Sequence, residues 1–346
     1  MKKHCIIPFF IPHKGCPFAC IFCRQDKITG RHAVSPFDIA PTIKRYLKTI
    51  PRKSCIEVAF FGGSFTGLDK DMQRDYLEKV QPFLRNGRIK GIRLSTRPDF
   101  IDQHILNMLK KYGVRRIELG IQSASDKVLE TIKRGHSLND IRRASKLILK
   151  NRIALGHQMM VGLPKSTFKD ELKTAKESVR MRVSEVRIYP LVVIKDTELA
   201  RMWRKKRYRP LSEEEAIRRC AKLISIFEKA NVRVIRCGLH PSEGLLSGKE
   251  MLAGPFHQAF RQKVETYIYT RIFMDFFSKS ENLLPVRSID YNPADAAYII
   301  GYKRKNASYV ENAIRQSNIF RESKKIRVKT IKISFKDNKR VLLKRI

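Results

Sequence analysis

The chain has 346 residues, 42% of them hydrophobic, so it can bury a sizeable core and is not generally disordered. Lys and Arg number 72 against 33 Asp and Glu, which gives a formal net charge of +39. Such a charge attracts polyanions, nucleic acid before an anionic membrane surface, although a lysine-rich proteome would give the same excess without a dedicated partner.

The N-terminal segment "MKKHCIIPFFIP" combines a basic start with an apolar run, as a signal peptide does. Pro8 and Pro12 interrupt that run and no small-residue cleavage site follows, so we do not expect a signal peptide. No stretch approaches the roughly 18 apolar residues that a membrane span needs. The expectation is a cytoplasmic protein that does not enter a membrane.

Short apolar runs rich in β-branched or aromatic residues alternate along the chain with longer amphipathic patterns. The runs predict strands over 5–11, 56–61, 91–95, 117–121, 153–161 and 185–189. The patterns between them predict helices over 36–50, 71–84, 101–113, 138–151 and 168–182. This alternation implies parallel strands with helical crossovers. Periodicity does not choose between an open doubly wound sheet and a barrel.

The chain changes character after Pro210. Residues 211–230 predict a long amphipathic helix, and "VRVIRCG" is a candidate for one more strand. The C-terminal segment "IRVKTIKISFKDNKRVLLKRI" alternates like a hairpin with its turn at Asp337-Asn338. Residues 301–346 hold 15 Lys and Arg against 3 Asp and Glu. The predicted division is a core over 1–240 and a small, basic α+β extension over 241–346 that contacts RNA or substrate.

Three of the seven cysteines, Cys16, Cys20 and Cys23, lie within eight residues in the spacing C-x3-C-x2-C. The odd total argues against a disulfide framework. Structural zinc takes four ligands, usually from two separated knuckles, and ferredoxin-type clusters use four thiolates. Three thiolates on one loop suit instead a cubane 4Fe–4S cluster with one iron left open for a substrate or cofactor.

This cysteine loop, placed after the first predicted strand, resembles that of the radical S-adenosylmethionine (SAM) superfamily. The segment "FFGGSF" over 60–65 is similar to the superfamily's glycine motif, whose backbone contacts the amino group of SAM. The segments "STRPD", "ELGIQS", "KRGHS" and "MVGLP" follow in that order, and then "RIYPLVVIKDTELARMWRKKRYRPLSEEEA". Over residues 6–220 this series is similar to the radical SAM domain of the Elongator catalytic subunit family, which modifies wobble uridines of tRNA.

The resemblance implies an α/β fold, a partial TIM-type (β/α)6 barrel with the cluster at its carboxyl-terminal mouth. The sequence departs from the Elongator pattern at Ser95, where that family usually has Glu. We do not expect the family's acetyltransferase domain, for which these 346 residues leave no room. The pattern also resembles oxygen-independent coproporphyrinogen oxidase, which usually carries one more cysteine two residues after the third. Residue 25 is Gln here.

The resemblance also implies site residues: Cys16, Cys20 and Cys23 hold the 4Fe–4S cluster, and SAM binds its open iron. The expected SAM contacts are an aromatic ring, the glycine motif, a glutamine at the end of the fourth strand, a glutamine on the fifth strand and an arginine for the carboxylate, namely Phe22, Gly62, Gly63, Ser64, Gln122, Gln158 and Arg134. The alternatives are a packed loop aromatic, a strand-end cap at Gln122 and a surface position for Arg134. Reductive cleavage of SAM gives a 5′-deoxyadenosyl radical and requires an electron donor such as flavodoxin or ferredoxin.

The sequence leaves two interpretations open for each of Glu118 and Cys237. Glu118 points either into the barrel or at Arg115 or Arg116, and we give it no catalytic role. Cys237, near His240, is either a loop cysteine or a second functional thiol.

Six of the nine residues over 201–209 are basic, with Trp203 and Tyr208 between them. This composition is typical of an RNA-contacting strip, and also of a solvated helix end anchored by its aromatics.

The sequence therefore predicts a radical SAM enzyme that modifies RNA, with tRNA as the expected substrate. A radical SAM enzyme acting on a small molecule or porphyrin-like substrate is the first alternative. A non-enzymatic iron–sulfur protein that binds RNA is the second.

Overall fold

The computed structural model describes residues 4–11, 16, 20–24, 34–279 and 285–345. Two compact units divide the chain: one comprises Met1–Ser212 with Ala230–Gln258, and the other Glu213–Lys229 with Ala259–Ile346. Within the described ranges, no helix is both long enough and apolar enough to cross a membrane.

The strands in chain order are β1 His4–Phe10, β2 Cys55–Phe61, β3 Gly91–Thr96, β4 Val114–Gln122, β5 Ala154–Val161, β6 Glu185–Pro190, β7 Val193–Ile194, β8 Arg233–Cys237, β9 Met251–Ala253, β10 Val286–Tyr291, β11 Phe320–Glu322, β12 Thr330–Phe335 and β13 Arg340–Lys344. The helices are α1 Ile39–Thr49, α2 Lys70–Glu78, α3 Gln81–Arg85, α4 Gln103–Lys111, α5 Asp126–Thr131, α6 Leu138–Lys150, α7 Phe168–Arg180, α8 Glu198–Arg204, α9 Glu213–Lys229, α10 Glu243–Leu246, α11 Phe260–Phe277, α12 Ala296–Ile299 and α13 Lys305–Ile314.

In the described part of the first unit, seven parallel strands form one sheet in the order β1-β2-β3-β4-β5-β6-β8. Successive strands are neighbours throughout, so each crossover advances in the same direction and the sheet curls into a half-barrel. A doubly wound sheet would reverse its strand order near the middle. The predicted partial barrel is confirmed, with all six predicted strands present. The seventh strand of this sheet is β8, which was the candidate strand in "VRVIRCG".

The helices over the half-barrel begin where the sequence provides capping residues. Ser137 and Asp140 form a capping box at the start of α6, and Thr167 and Asp170 form another at the start of α7. The helix predicted over 71–84 is divided in the structure into α2 and α3, with Pro82 in the first turn of α3. Pro is tolerated there because the first helical N–H groups need no intrahelical partner.

The second unit contains a mixed four-stranded sheet in the order β11-β10-β12-β13, with α11 among the helices packed on it. The predicted terminal hairpin is confirmed: β12 and β13 pair antiparallel, and Asn338 in their turn has a φ of 67°. Asn tolerates this left-handed conformation better than most residues. The core of this unit consists of aliphatic and aromatic side chains such as Phe273, Ile289 and Phe335.

Candidate active site

A cavity of about 460 Å³ lies inside the half-barrel toward the carboxyl ends of its strands. Alternate residues of a strand face the same side of a sheet, and alternate residues line this cavity: 6, 8 and 10 of β1, 158 and 160 of β5, and 187 and 189 of β6. All ten predicted site residues line it: Cys16, Cys20, Phe22, Cys23, Gly62, Gly63, Ser64, Gln122, Arg134 and Gln158. The fold therefore brings together residues that are up to 142 positions apart in the sequence.

The three loop cysteines differ in exposure and carry no disulfide. Cys20 is buried, whereas Cys16 and Cys23 are half-buried, and the Cys23 N–H donates to the carbonyl of Cys20 at 3.0 Å. Among the described residues, no three His, Cys, Asp or Glu side chains converge on a single metal ion. A cubane cluster differs from a single ion in that its cysteines bind separate iron atoms. Three cysteines that line one cavity fit such a cluster.

Arg134 places its guanidinium against the cysteine loop. Its Nη1 is 3.5 Å from the Sγ of Cys20, and its Nη2 donates to the carbonyl of Gly120 at 2.8 Å. A Cβ on residue 120 would lie 2.9 Å from Nη2, so glycine at this position leaves the space that the guanidinium occupies. The assignment of Arg134 to the SAM carboxylate stays a prediction.

The glycine motif turns sharply after β2. Gly62 has a φ of 101°, a conformation that strains any residue with a Cβ. The Oγ of Ser64 lies 2.9 Å from the Oγ1 of Thr96 and accepts from the backbone N–H of Arg97 at 3.2 Å. The Ser64 hydroxyl thus ties this turn to the end of β3, and the turn contributes backbone to the cavity wall.

The two predicted glutamines occupy different environments. Gln122 has a φ of 62° at the end of β4, where the pairing with β5 shifts register. Such a conformation is costly for a residue other than glycine and is found often at functional sites. Gln158 donates from Nε2 to Glu118 Oε2 at 3.3 Å. Its carbonyl oxygen remains an acceptor, which suits the predicted contact with a ribose hydroxyl.

A buried ion network fills the half-barrel at the level of Arg93, which is 1% exposed. Arg93 donates to Glu118 at 3.1 Å and to Glu57 at 3.4 Å, and it also contacts Glu185. Glu118 in turn accepts from Arg187. Of the two readings of Glu118, the structure supports the one that points into the barrel. Burial alone raises the pKa of Glu118, but the charges and hydrogen bonds of Arg187 and Arg93 outweigh it and hold that pKa below its ordinary value.

Sequence reasoning missed several residues of the cavity wall. Arg187 and Tyr189 on β6, Arg236 on β8, and His240 line the cavity with the predicted site residues. Period-2 alternation in "RIYP" places Arg187 and Tyr189 on one face. In "RVIRC" the same alternation would put Arg233 and Arg236 on opposite faces, and a register shift in the pairing of β6 with β8 brings Arg236 opposite Arg187. Cys237 is the last residue of β8 and is buried, so the expectation of a loop cysteine was wrong.

The basic strip over 201–209 is joined to the cysteine loop through α8. The backbone N–H of Leu199, in the first turn of α8, donates to the carbonyl of Ile21 at 2.7 Å. The six basic side chains of the strip are exposed, whereas Trp203 and Tyr208 are half-buried. Tyr208 donates its hydroxyl proton to the carbonyl of Gly162 at 2.7 Å, so this aromatic anchors the strip.

Family comparisons agree with this geometry. The model of the radical SAM superfamily matches residues 10–177, and the model of the radical SAM C-terminal domain matches residues 183–270. The chain belongs to the radical SAM superfamily, and it is a radical SAM enzyme. Membership implies a 4Fe–4S cluster and SAM as its cofactors.

Individual relatives narrow the likeness. A tRNA uridine(34) acetyltransferase of Methanocaldococcus jannaschii is 29% identical over 243 residues, which are 58% of this chain and 45% of that protein. An uncharacterized protein of the same organism is 30% identical over 214 residues, 59% of this chain and 66% of that protein. The chain spans less than half the length of the acetyltransferase. The structure of archaeal Methanocaldococcus infernus Elp3, with its N-terminus deleted, is similar with a TM-score of 0.62 and 20% identity, over 83% of this chain and 71% of that one. That likeness establishes the fold.

Proposed function

We propose that this radical SAM enzyme modifies RNA and that tRNA is its substrate. The observation that carries the proposal is the hydrogen bond between Leu199 and Ile21, which joins a basic, exposed segment to the cysteine loop. A polyanion bound along 201–209 is thereby held next to the cavity. The net charge of +39 supports the same partner, because it strengthens attraction to phosphates over the whole surface.

Different residues of the cavity are proposed to bind the cluster and to orient SAM. Cys16, Cys20 and Cys23 are proposed to hold the cluster, and Gly62 and Gly63 to present backbone to the amino group of SAM. When bound and reduced, the cluster supplies the electron that splits SAM into methionine and a 5′-deoxyadenosyl radical able to abstract hydrogen. The apolar walls exclude water from the space where such a radical would otherwise be quenched.

Two further SAM contacts are proposed on the cavity wall. Phe22 offers a ring face for adenine, and Gln158 an acceptor for a ribose hydroxyl. Gln122 lies at the end of β4, on the same wall as Arg134. A one-electron donor such as flavodoxin or ferredoxin completes the proposed system.

The relatives support tRNA as the RNA class. The relative from Methanocaldococcus jannaschii is named as a tRNA uridine(34) acetyltransferase. The match with this chain covers 45% of that protein, so the rest of its length gives no support here. The proposal for this chain is therefore a modification begun by hydrogen abstraction from a tRNA nucleotide. It does not extend to acetyl transfer.

The experiment is anaerobic. The cluster is reconstituted and reduced with flavodoxin, and 5′-deoxyadenosine formed from SAM is quantified with host tRNA and with the same tRNA after nuclease digestion. Intact tRNA should stimulate cleavage, and mass spectrometry of the nucleosides should show a product. Cleavage that ignores RNA would overturn the RNA substrate and favour a small molecule.

Two cysteine variants separate cofactor loss from misfolding. Cys20→Ala should lose iron and SAM cleavage, because it removes the buried thiol of the cysteine loop. Cys220→Ala removes a buried thiol of α9 in the second unit and should keep both. Iron retained in full by Cys20→Ala would contradict the assignment of the cluster.

Matched charge variants locate the RNA surface. The triple variant Lys205→Gln, Lys206→Gln and Arg207→Gln removes three exposed charges from the strip. A second triple variant, Lys324→Gln, Lys325→Gln and Arg327→Gln, removes three exposed charges from the second unit. Only the first should weaken tRNA binding markedly and flatten its salt dependence, because each lost phosphate contact reduces the slope by about 1. Equal losses of affinity would show that the extension, the other candidate surface, contacts the RNA as much as the strip does, and would contradict this assignment.

A further inference from the structure

A cationic side chain with no described counter-ion lies on the edge strand of the half-barrel. Arg236 belongs to β8, and its Cα pairs in register with that of Arg187 on β6. Both side chains line the cavity that contains the three cysteines. Strand β8 is one edge of the sheet and β1, which leads into the cysteine loop, is the other. Arg236 therefore stands on the cavity wall farthest along the sheet from that loop.

The neighbour Arg187 is already neutralised. It donates to Glu118 through two nitrogens, and its guanidinium carbon lies 4.8 Å from the centroid of the Phe61 ring. Glu118 is 1% exposed and is held by Arg93 from the other side. Arg187 is thus held in place by Glu118 and by the Phe61 ring. Its charge is balanced, so it does not need an anion from outside the protein.

Arg236 differs from the other arginines that line the cavity in having no described partner. The cavity lining includes four arginines and, in the described part of the chain, neither Asp nor Glu. Arg97 pairs with Asp99, Arg134 contacts a cysteine sulfur, and Arg187 pairs with Glu118. Arg236 is half-buried and makes neither a hydrogen bond nor an ion pair with any residue that the structure describes. A half-buried cation with no partner among the described residues is suited to bind an anion.

We propose that Arg236 binds a phosphate group of the substrate nucleotide at the edge of the half-barrel. A guanidinium presents its N–H donors in a planar fork that matches phosphate oxygens in bidentate fashion. Tyr189 and His240 line the same cavity and offer ring faces on which a base stacks. This subsite rests on the proposed function for its RNA, but the chemistry that it recognises is phosphate.

The test measures dissociation constants of the cluster-loaded protein for a tRNA anticodon stem–loop, for uridine monophosphate and for uridine, over a series of salt concentrations. Arg236→Gln is compared with Arg236→Lys and with Arg115→Gln. Arg115 is an exposed arginine at the amino-terminal end of β4, so the control removes one charge from the opposite end of the barrel. All variants are checked for iron content and for thermal unfolding.

The expected result is that Arg236→Gln weakens binding of the stem–loop and of uridine monophosphate by roughly 10- to 100-fold, and leaves uridine unchanged. Its salt slope should fall by about 1, whereas Arg236→Lys should keep the slope and lose part of the affinity. Arg115→Gln should bind the three probes nearly as the wild type does.

The remaining outcomes are decisive. If Arg236→Gln and Arg115→Gln reduce stem–loop binding equally, the subsite is overturned and the RNA-modifying function stands. If the wild type binds uridine monophosphate through Arg236 but no RNA, the subsite stands and the RNA substrate falls. If the wild type binds neither probe, both proposals fail.

Discussion

The interior of the half-barrel and the core of the second unit bury different kinds of side chain. At the centre of the half-barrel, Arg93 and Glu118 are each 1% exposed and joined in an ion network. The second unit buries an aliphatic and aromatic cluster that includes Phe273 and Ile289. The second unit also buries polar groups beside this cluster: Arg345 pairs with Glu265 and Glu228, and Asn306 donates from Nδ2 to the carbonyl of Thr266 at 3.1 Å.

The difference follows from what each interior must do. Apolar side chains stabilise by filling space, so a core built from them closes at crystal-like packing density. A charged side chain instead stays where its partners hold it, because moving it away leaves a buried charge uncompensated. Beneath its cavity, the half-barrel is held by the buried ion network around Arg93 and Glu118. The space above the ion network is thereby kept open for cofactor and substrate.

The largest expected effect comes from breaking this network. Glu118→Gln leaves Arg93 and Arg187 without their shared carboxylate and should lower the free energy of unfolding by about 3–5 kcal/mol, as measured by chemical denaturation. The matched control is Glu198→Gln, the same change in an exposed pair with Lys133, which should cost less than about 1 kcal/mol. Equal costs would show that the network does not hold the interior.

A second effect concerns pH, through the histidine on the outer face of β5. His157 lies between the hydroxyls of Ser145 and Ser178 at 3.1 and 3.0 Å, and burial lowers its pKa to about 3. The unfolded chain takes up a proton near the ordinary pKa of about 6.5, whereas the folded chain does not. The contribution of this neutral histidine is complete above that pH and is lost as the pH falls from about 6.5 to about 3.

His157→Gln should therefore reduce the dependence of the unfolding free energy on pH, in that interval, by about 1.4 kcal/mol per pH unit. The measurement is urea unfolding of the apoprotein at a series of pH values. Ser178→Ala keeps the imidazole and should keep the slope. An unchanged slope in His157→Gln would mean that the histidine titrates alike in both states.

A smaller effect is expected in the apolar core of the second unit. Ile289→Val removes one methylene group from a fully buried side chain and should cost about 1 kcal/mol of unfolding free energy. Iron content and SAM cleavage should be those of the wild type, because the cavity and the cysteines belong to the first unit. Loss of iron in this variant would contradict the separation of roles between the units.

The smallest effect on stability should come from a substitution at the site itself. Gly120→Ala places a methyl group 2.9 Å from the Nη2 of Arg134, which is the end of a flexible side chain and moves away. The unfolding free energy should change by less than about 1 kcal/mol.

The reduction potential of the reconstituted cluster should fall in Gly120→Ala, because the guanidinium of Arg134 moves away from the Cys20 sulfur. Redox titration followed by electron paramagnetic resonance measures it, with Arg134→Lys as reference. An unchanged potential would show that Arg134 does not tune the cluster.

Much of the fold and the candidate site was predictable from sequence because the signals are local. The six strands and the terminal hairpin follow from short-range periodicity, and the cysteine loop from spacing. The predicted cofactor residues all line one cavity. The break between α2 and α3 was missed because amphipathic periodicity continues through Lys79 and Val80.

The sequence by itself determined that strands and helices alternate, that three thiols share a loop and that the chain is strongly basic. Only the tertiary structure decided that Glu118 lies against Arg93 and Arg187, that α8 is bonded to the cysteine loop, and that Arg236 lies beside Arg187 with no partner among the residues that the structure describes. The physical reason is register. Which side chains meet inside a barrel depends on how each strand aligns with its neighbour, and that alignment is fixed by the packing of residues far apart in the chain.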